Sequence, residues 1–307
     1  MGRSNFLDKD LIFDKERENI FHVITNYDTR NFGFVFAMLK YKRDGKGLWR
    51  GYNRVLKNYG VHNLVKNPQN FMYQPCLDAS FPVVYTSQIG LHLTPEDGLD
   101  KVMKGKVGED LTNVVLSIVD KIGTKGVGVG GSILAGTYHS KSDVDLIIYG
   151  KDRSLDVYYQ LNELGTDNEW IEETSRNYEL PVDQVLYLYD RKRRGILNGV
   201  KVSVNFVDIS SYKLCNELCE SFYPVNDVSL YVEEGQVEAL FYPARVKVSG
   251  NIEEGKIDEI ISYEGIYSSL LFKGGKMRVD GVLIKCENRN MVIIGDRKFR
   301  GNIRRFV

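Results

Sequence analysis

The sequence predicts an α+β fold in three blocks, and three observations carry that expectation. Leu111, Val114, Val115, Ile118, Val119 and Ile122 recur at three- and four-residue spacing, which places them on one face of a helix. The same stretch holds two apolar, β-branched runs at residues 144–149 and 200–207, which read as strands. Near the end of the chain, short strand-like segments alternate with turns at Gly250, Gly255, Gly274-Gly275, Gly281 and Gly295.

The first block, residues 1–95, is a β-rich module. Aromatic and β-branched residues mark strands at 19–27 and 32–41, parted by the turn-prone Asp28-Thr29-Arg30-Asn31, and residues 51–58 read as a short helix. A loop-rich stretch with Pro68, Pro75 and Pro82 follows, and Pro95 stands at the boundary. The second block, residues 96–225, runs through the amphipathic helix, a Gly-rich strand at 126–130, a short helix from Ser132 and the 144–149 strand. It continues with a helix at 155–164, a polar connection, a strand at 184–189 and the 200–207 strand. The third block, residues 226–307, is a small β-barrel-like module with strands at 244–249, 267–272, 277–279, 282–286 and 291–294.

Composition removes several function classes. At 43% hydrophobic and 27% charged residues, the chain is neither collagen-like, mucin-like nor wholly disordered. Forty-one basic residues balance forty-one acidic ones, so any attraction to nucleic acid or anionic lipid has to be local. Cys76, Cys215, Cys219 and Cys286 are too few for a disulfide scaffold and match no zinc spacing. Cys215 and Cys219 share a face of an expected helix and read as buried thiols. The first residues are charged where a signal peptide is apolar, and the longest apolar run, 32–39, is far too short to span a bilayer. A cytoplasmic protein without membrane contact is expected.

Residues 126–150, GVGVGGSILAGTYHSKSDVDLIIYG, carry the chemistry. Side chains alternate along a strand, so Asp143 and Asp145 share a face while Val144 turns away. Two carboxylates side by side repel unless a cation lies between them, and hard oxygen ligands of this kind suit Mg²⁺ or Mn²⁺. Gly130 and Gly131 let backbone approach a ligand, and Ser132 opens a helix whose free N–H groups suit phosphate. An NTP seated on Gly130, Gly131 and Ser132 would then face metals at Asp143 and Asp145, an arrangement suited to in-line displacement at phosphorus.

Gly-Gly-Ser, about ten further residues, then Asp-x-Asp opening an apolar strand resembles the signature of the DNA polymerase β-like nucleotidyltransferase superfamily. The resemblance covers residues 111–208, and the whole chain is also similar to a group of archaeal predicted nucleotidyltransferases. It implies transfer of a nucleoside monophosphate from an NTP to a hydroxyl, with Gly131 and Ser132 on phosphate and Asp143 and Asp145 on metal. The superfamily also places a third carboxylate on a later strand. Here residues 199–208 put Lys201, Ser203 and Asn205 on the expected face and no acid among them. Asn205 can offer a neutral amide oxygen, and Asp208 is acidic but has the parity of the apolar face. Three readings stay open: an impaired site, one that uses Asp208, or one that recruits another acid such as Asp183 or Asp190.

Local basic clusters supply further candidates. Lys151 and Arg153 follow the aspartate strand, and Arg191, Lys192, Arg193 and Arg194 precede the 200–207 strand; both sets are candidates for phosphates of NTP or RNA. Residues 40–59 hold seven Lys or Arg against one Asp, with Tyr41, Trp49, Tyr52 and Tyr59. Residues 296–307 hold five against one, with Phe299 and Phe306. Such mixtures suit RNA, the expected acceptor, which the flanking modules would select. His139 reads as a turn residue near the site. Gly126, Gly128 and Gly131 also fit a loose dinucleotide fingerprint, but no acid ends a second strand about twenty residues on. The alternative function is a degenerate transferase domain that binds nucleotide or RNA without chemistry.

Overall fold

The computed structural model describes residues 3–74, 79–213, 217–253 and 255–306. The chain divides into two compact units, one of Met1–Lys57, Val83–Trp170 and Asp190–Tyr212, the other of Asn58–Pro82, Ile171–Tyr189 and Lys213–Val307. These units do not follow the three-block division expected from composition, because most of the first block clusters with the aspartate-bearing stretch.

In the first unit, Leu11–Asp14, Asn19–Val23, Phe34–Arg43, Tyr52–Arg54 and Ile89–Leu93 form an antiparallel sheet, joined by residues 83–85 beside the start of the long strand. Strand alternation gives the sheet two apolar faces. Leu11, Phe13, Ile20 and Tyr41 share a core cluster with Leu134, while Ile12, Val23, Val35, Ala37 and Val84 form another. The expected helix at 51–58 is instead the strand Tyr52–Arg54, paired with residues 41–43. Cross-strand partners outweigh the weak helical tendency of so short a segment. Ile20 opposes Tyr41 and Phe21 opposes Leu39, so Lys40 is the unmatched residue of a β-bulge.

A second sheet of four strands runs in the order Arg194–Leu197, Val200–Val207, Val144–Tyr149, Val127–Val129, with antiparallel, parallel and antiparallel pairings. Helices Pro95–Met103, Glu109–Ile122 and Lys151–Gln160 belong to the same unit. Pro95 opens the first of these behind a Thr94–Asp97 capping box. A Cβ on Gly128 would lie 2.6 Å from the Pro95 Cβ, so the missing side chain lets that helix lie directly on the Val127–Val129 strand. Glu109–Ile122 buries all six apolar residues that predicted it. Burying six such side chains is worth on the order of 10 kcal/mol of transfer free energy as an upper bound. The expected 155–164 helix begins four residues earlier, at Lys151, and the supposed polar connection holds the helix Asn168–Tyr178.

In the second unit, the strand expected at 184–189 is the helix Val182–Leu188. Val185 and Leu188, three apart, are buried while Leu186 and Tyr187 are exposed. A short apolar run does not by itself separate strand from helix. The same ambiguity turns the strand expected at 267–272 into the helix Ser268–Lys273. In the terminal β module, Cys219–Val232, Ala244–Ser249, Glu259–Ser262, Asn290–Ile294 and Gly275–Cys286 pair in that order, and the last pairs back to the first. Asn302–Arg305 adds to Gly275–Cys286.

Cys219 opens a strand rather than lying on a helix, and it is disulfide-bonded to Cys286 directly across the ladder. The expectation of a free buried thiol therefore fails at Cys219, since cross-strand pairing brings together two cysteines far apart in sequence. Cys76 and Cys215 lie outside the described residues. No helix among the described residues is long and apolar enough to cross a membrane.

Candidate nucleotide and metal site

The aspartate pair is built by strand alternation. Val144 is fully buried, while Asp143 and Asp145 are half-buried on the opposite face at the start of the strand. Parallel register sets Asp145 beside Ser203, and antiparallel register sets Ser203 beside Arg194. A row Arg194, Ser203, Asp145 thus crosses one face of the sheet. The Ser203 hydroxyl donates to Asp145 Oδ1.

The glycine turn closes on the same carboxylate. Gly130 N–H donates to the Asp145 carbonyl at 2.8 Å. Gly131 has φ +60°, and a Cβ there would lie 2.1 Å from Asp145 Oδ2. A side chain there would sit on a left-handed backbone that L residues rarely adopt and would displace the Asp145 carboxylate. Ser132, the next residue, is buried, and its Oγ has no hydrogen-bond partner among the described residues. An unpartnered buried hydroxyl is costly in the free protein, which makes it a marker for a missing polar ligand.

Electrostatics at the pair are mixed. The Asp143 carboxyl is raised above the usual aspartate value, first by the Asp145 charge beside it and then by burial; Lys40 and Arg194 act in the opposite direction. Lys40 is buried and comes from the bulge in the N-terminal sheet. The Arg194 guanidinium lies 5.6 Å over the Trp170 ring and makes no hydrogen bond or ion pair among the described residues. Two repelling carboxylates beside an unpartnered hydroxyl fit a hard divalent cation and a phosphate.

The other sequence candidates fall in different places. Asn205 is half-buried on the site face, its Nδ2 3.5 Å from Ser203 Oγ. Asp208 lies five residues beyond Ser203, about 16 Å along the strand at a rise of about 3.3 Å per residue. Its carboxylate accepts from Ser210 N–H and Tyr212 Oη and lies 4.0 Å from Lys151 Nζ. Asp208 and Lys151 therefore belong to the opposite end of the sheet. Arg153 donates to the carbonyls of Ile122 and Lys125, which ends the Glu109–Ile122 helix rather than contacting the site. Of the basic run, Arg191 binds Glu163 and the Leu164 carbonyl, Lys192 lies over the Tyr158 and Tyr159 rings, and Arg193 lies over Phe206; Arg194 alone joins the row. Asp190 accepts from Tyr158 Oη and Lys192 N–H, and Asp183 is an exposed residue of the other unit. Neither provides a third carboxylate to the row.

His139 holds the turn before Asp143. Its N–H donates to Ser142 Oγ at 2.9 Å, its Nδ1 accepts from Lys141 N–H at 3.1 Å, and its ring lies 5.6 Å from Trp49. A separate cavity of about 760 Å³ in this unit is lined by Arg3, Glu96, Asp100 and Tyr149 and contains none of the site residues. The influence of the Lys40 charge on Asp143 is not readable from sequence, because a bulge breaks the alternation from which the direction of Lys40 would be read. Sequence reasoning also missed the Ser203 bond to Asp145, which parity foreshadowed and only register fixed. No curated protein and no solved structure matches the chain. Residues 112–206, which contain the glycine turn, both aspartates, Ser203 and Arg194, match the family model described as a nucleotidyltransferase domain, so transfer of a nucleoside monophosphate is the general chemistry to which the site is similar.

Proposed function

We propose that the protein is a Mg²⁺- or Mn²⁺-dependent nucleotidyltransferase that moves a nucleoside monophosphate from an NTP to a hydroxyl acceptor, with RNA the first acceptor to test. The observation that carries this reading is the convergence of Asp143, Asp145, the Gly131 close approach and the unpartnered Ser132 Oγ on one place. Asp143 and Asp145 would hold the cation, which supplies charge neutralisation to the polyphosphate when bound. Gly130 and Gly131 admit the phosphates close to backbone, and Ser132 Oγ donates to one of their oxygens. Ser203 fixes the orientation of Asp145 through its hydroxyl.

Incubation with labelled NTPs, Mg²⁺ or Mn²⁺ and total cellular RNA tests the reading. Label transfer that disappears in Asp143→Asn and Asp145→Asn supports it; absence of transfer to RNA, protein and small-molecule hydroxyls alike removes it. A second reading, nucleotide binding without chemistry, is favoured by one observation: the position next to Asp145 holds Ser203 and not an acid. Under that reading labelled NTP is retained and never transferred.

A further inference from the structure

We propose that this site works with a single divalent ion, and that Arg194 supplies the second positive charge by binding the nucleotide's phosphates. The inference rests on the nucleotidyltransferase reading and goes beyond it, because it assigns a role to a side chain and an ion count to the site.

Two divalent ions a few ångströms apart need enough anionic ligands to hold and bridge them. Register leaves one place on the neighbouring strand beside Asp145, and Ser203 fills it. The serine hydroxyl is neutral and already donates to Asp145 Oδ1, so it removes coordinating capacity from the pair instead of adding any. Asn205, further along, contributes no charge.

The next position in the row is a cation. Arg194 pairs with Ser203, so its side chain leaves the same sheet face as Asp145, one strand further out. It is half-buried, and its guanidinium rests on Trp170 with no carboxylate bound to it among the described residues. A guanidinium held this way keeps its fork of donors available for phosphate, the geometry it matches best. Lys40, buried in the bulge, adds a second fixed positive charge whose field reaches Asp143. With both basic charges acting on Asp143, one divalent ion already brings the protein groups to an excess of positive charge that suits a polyphosphate. A second ion would be placed against a guanidinium, and the carboxylates that meet the site face of the Val200–Val207 strand, Asp167 and Glu169, are already ion-paired to Lys201.

The test uses the full chain, Mn²⁺ and a nonhydrolysable α,β-methylene NTP, with Mn²⁺ counted by the loss of the free-ion electron paramagnetic resonance signal. The expected result is one Mn²⁺ per bound nucleotide in the wild type. Arg194→Gln should weaken nucleotide binding roughly 10- to 100-fold, the worth of a charge-assisted hydrogen bond to phosphate. Its binding of Mn²⁺ alone should be retained or improved, which also reports that the variant is folded; Arg194→Lys should recover part of the affinity. Nucleotide binding should change the fluorescence of Trp170 in the wild type and leave it unchanged in Arg194→Gln. Two Mn²⁺ per nucleotide in the wild type, or unaltered nucleotide affinity in Arg194→Gln, overturns the inference. A wild type that takes up no nucleotide overturns the transferase reading itself.

Discussion

Gly131→Ala is the sharpest test of the proposed site, because its effect can be worked out from two independent quantities. Gly131 has φ +60°, and an alanine held there costs about 1 to 2 kcal/mol of left-handed backbone strain. The added Cβ would also lie 2.1 Å from Asp145 Oδ2, when ordinary contact begins near 3.4 Å. The carboxylate must therefore move by about 1 Å or more, and a misplacement of that size costs on the order of 100-fold in rate. Gly136→Ala is the matched control: Gly136 has φ +72°, with nothing within 4 Å of its added Cβ. Both variants should lose similar stability in urea unfolding, and only Gly131→Ala should lose Mn²⁺ binding and label transfer. Equal activity in the two variants would refute the claim that Asp145 is held against the glycine turn as a functional ligand.

Other substitutions probe the remaining features. Ser203→Asp places a carboxylate beside Asp145 and should raise the Mn²⁺ count to two per nucleotide while lowering the stability of the metal-free protein by about 1 to 3 kcal/mol, read by urea unfolding with and without Mn²⁺. The Asp143 carboxyl is raised by its neighbour and by burial, so its contribution to metal-free stability is present below the ordinary aspartate value and is lost as pH rises through the raised one. Asp143→Asn should remove that loss, leaving the metal-free variant the more stable of the two at neutral pH and unable to bind Mn²⁺. In the other unit, buried Glu264 accepts from Tyr178 Oη at 2.8 Å and Val61 N–H at 3.0 Å; Glu264→Ala should cost about 2 to 4 kcal/mol in unfolding measurements. The Cys219–Cys286 disulfide closes a sequence separation of 67, so reduction should lower stability by up to about 4 kcal/mol, and intact-mass measurement before and after reduction should register the bond.

The parts of the fold most legible in sequence are the long one-sided helix and the β-branched runs beside the Asp-x-Asp pattern. Glu109–Ile122 carries six apolar residues on one face, and Val144–Tyr149 and Val200–Val207 match their expected bounds residue for residue. Short apolar runs without a flanking pattern are ambiguous: the expected strands at 184–189 and 267–272 are helices, since a run of six residues fits either period. The closeness of the glycine turn to the aspartates is readable because a glycine turn followed by a strand opening on Asp-x-Asp is a local pattern. Arg194 could be picked out of its run only after strand register was known, because Arg191, Lys192 and Arg193 read identically in sequence. Asp208, acidic but of the apolar-face parity, lies at the opposite end of its strand from Ser203, a separation that only strand register makes visible.

The N-terminal strands matter to the site in a way that a flanking, acceptor-selecting module would not. Leu134, two residues after Ser132, is fully buried in a cluster with Leu11, Phe13, Ile20 and Tyr41. The short helix Gly131–Ala135 is only five residues long and cannot hold its own geometry in water, so the position of Ser132 depends on that packing. The same sheet delivers Lys40 through its bulge. Shape at the glycine turn and charge at Asp143 therefore both depend on residues more than ninety positions earlier in the chain. Removing residues 1–57 should abolish nucleotide binding even where the aspartates survive, and Leu134→Ala should weaken it without touching a single polar group of the site. Nucleotide affinity unchanged in Leu134→Ala would mean that the cradle is held by the four-stranded sheet alone.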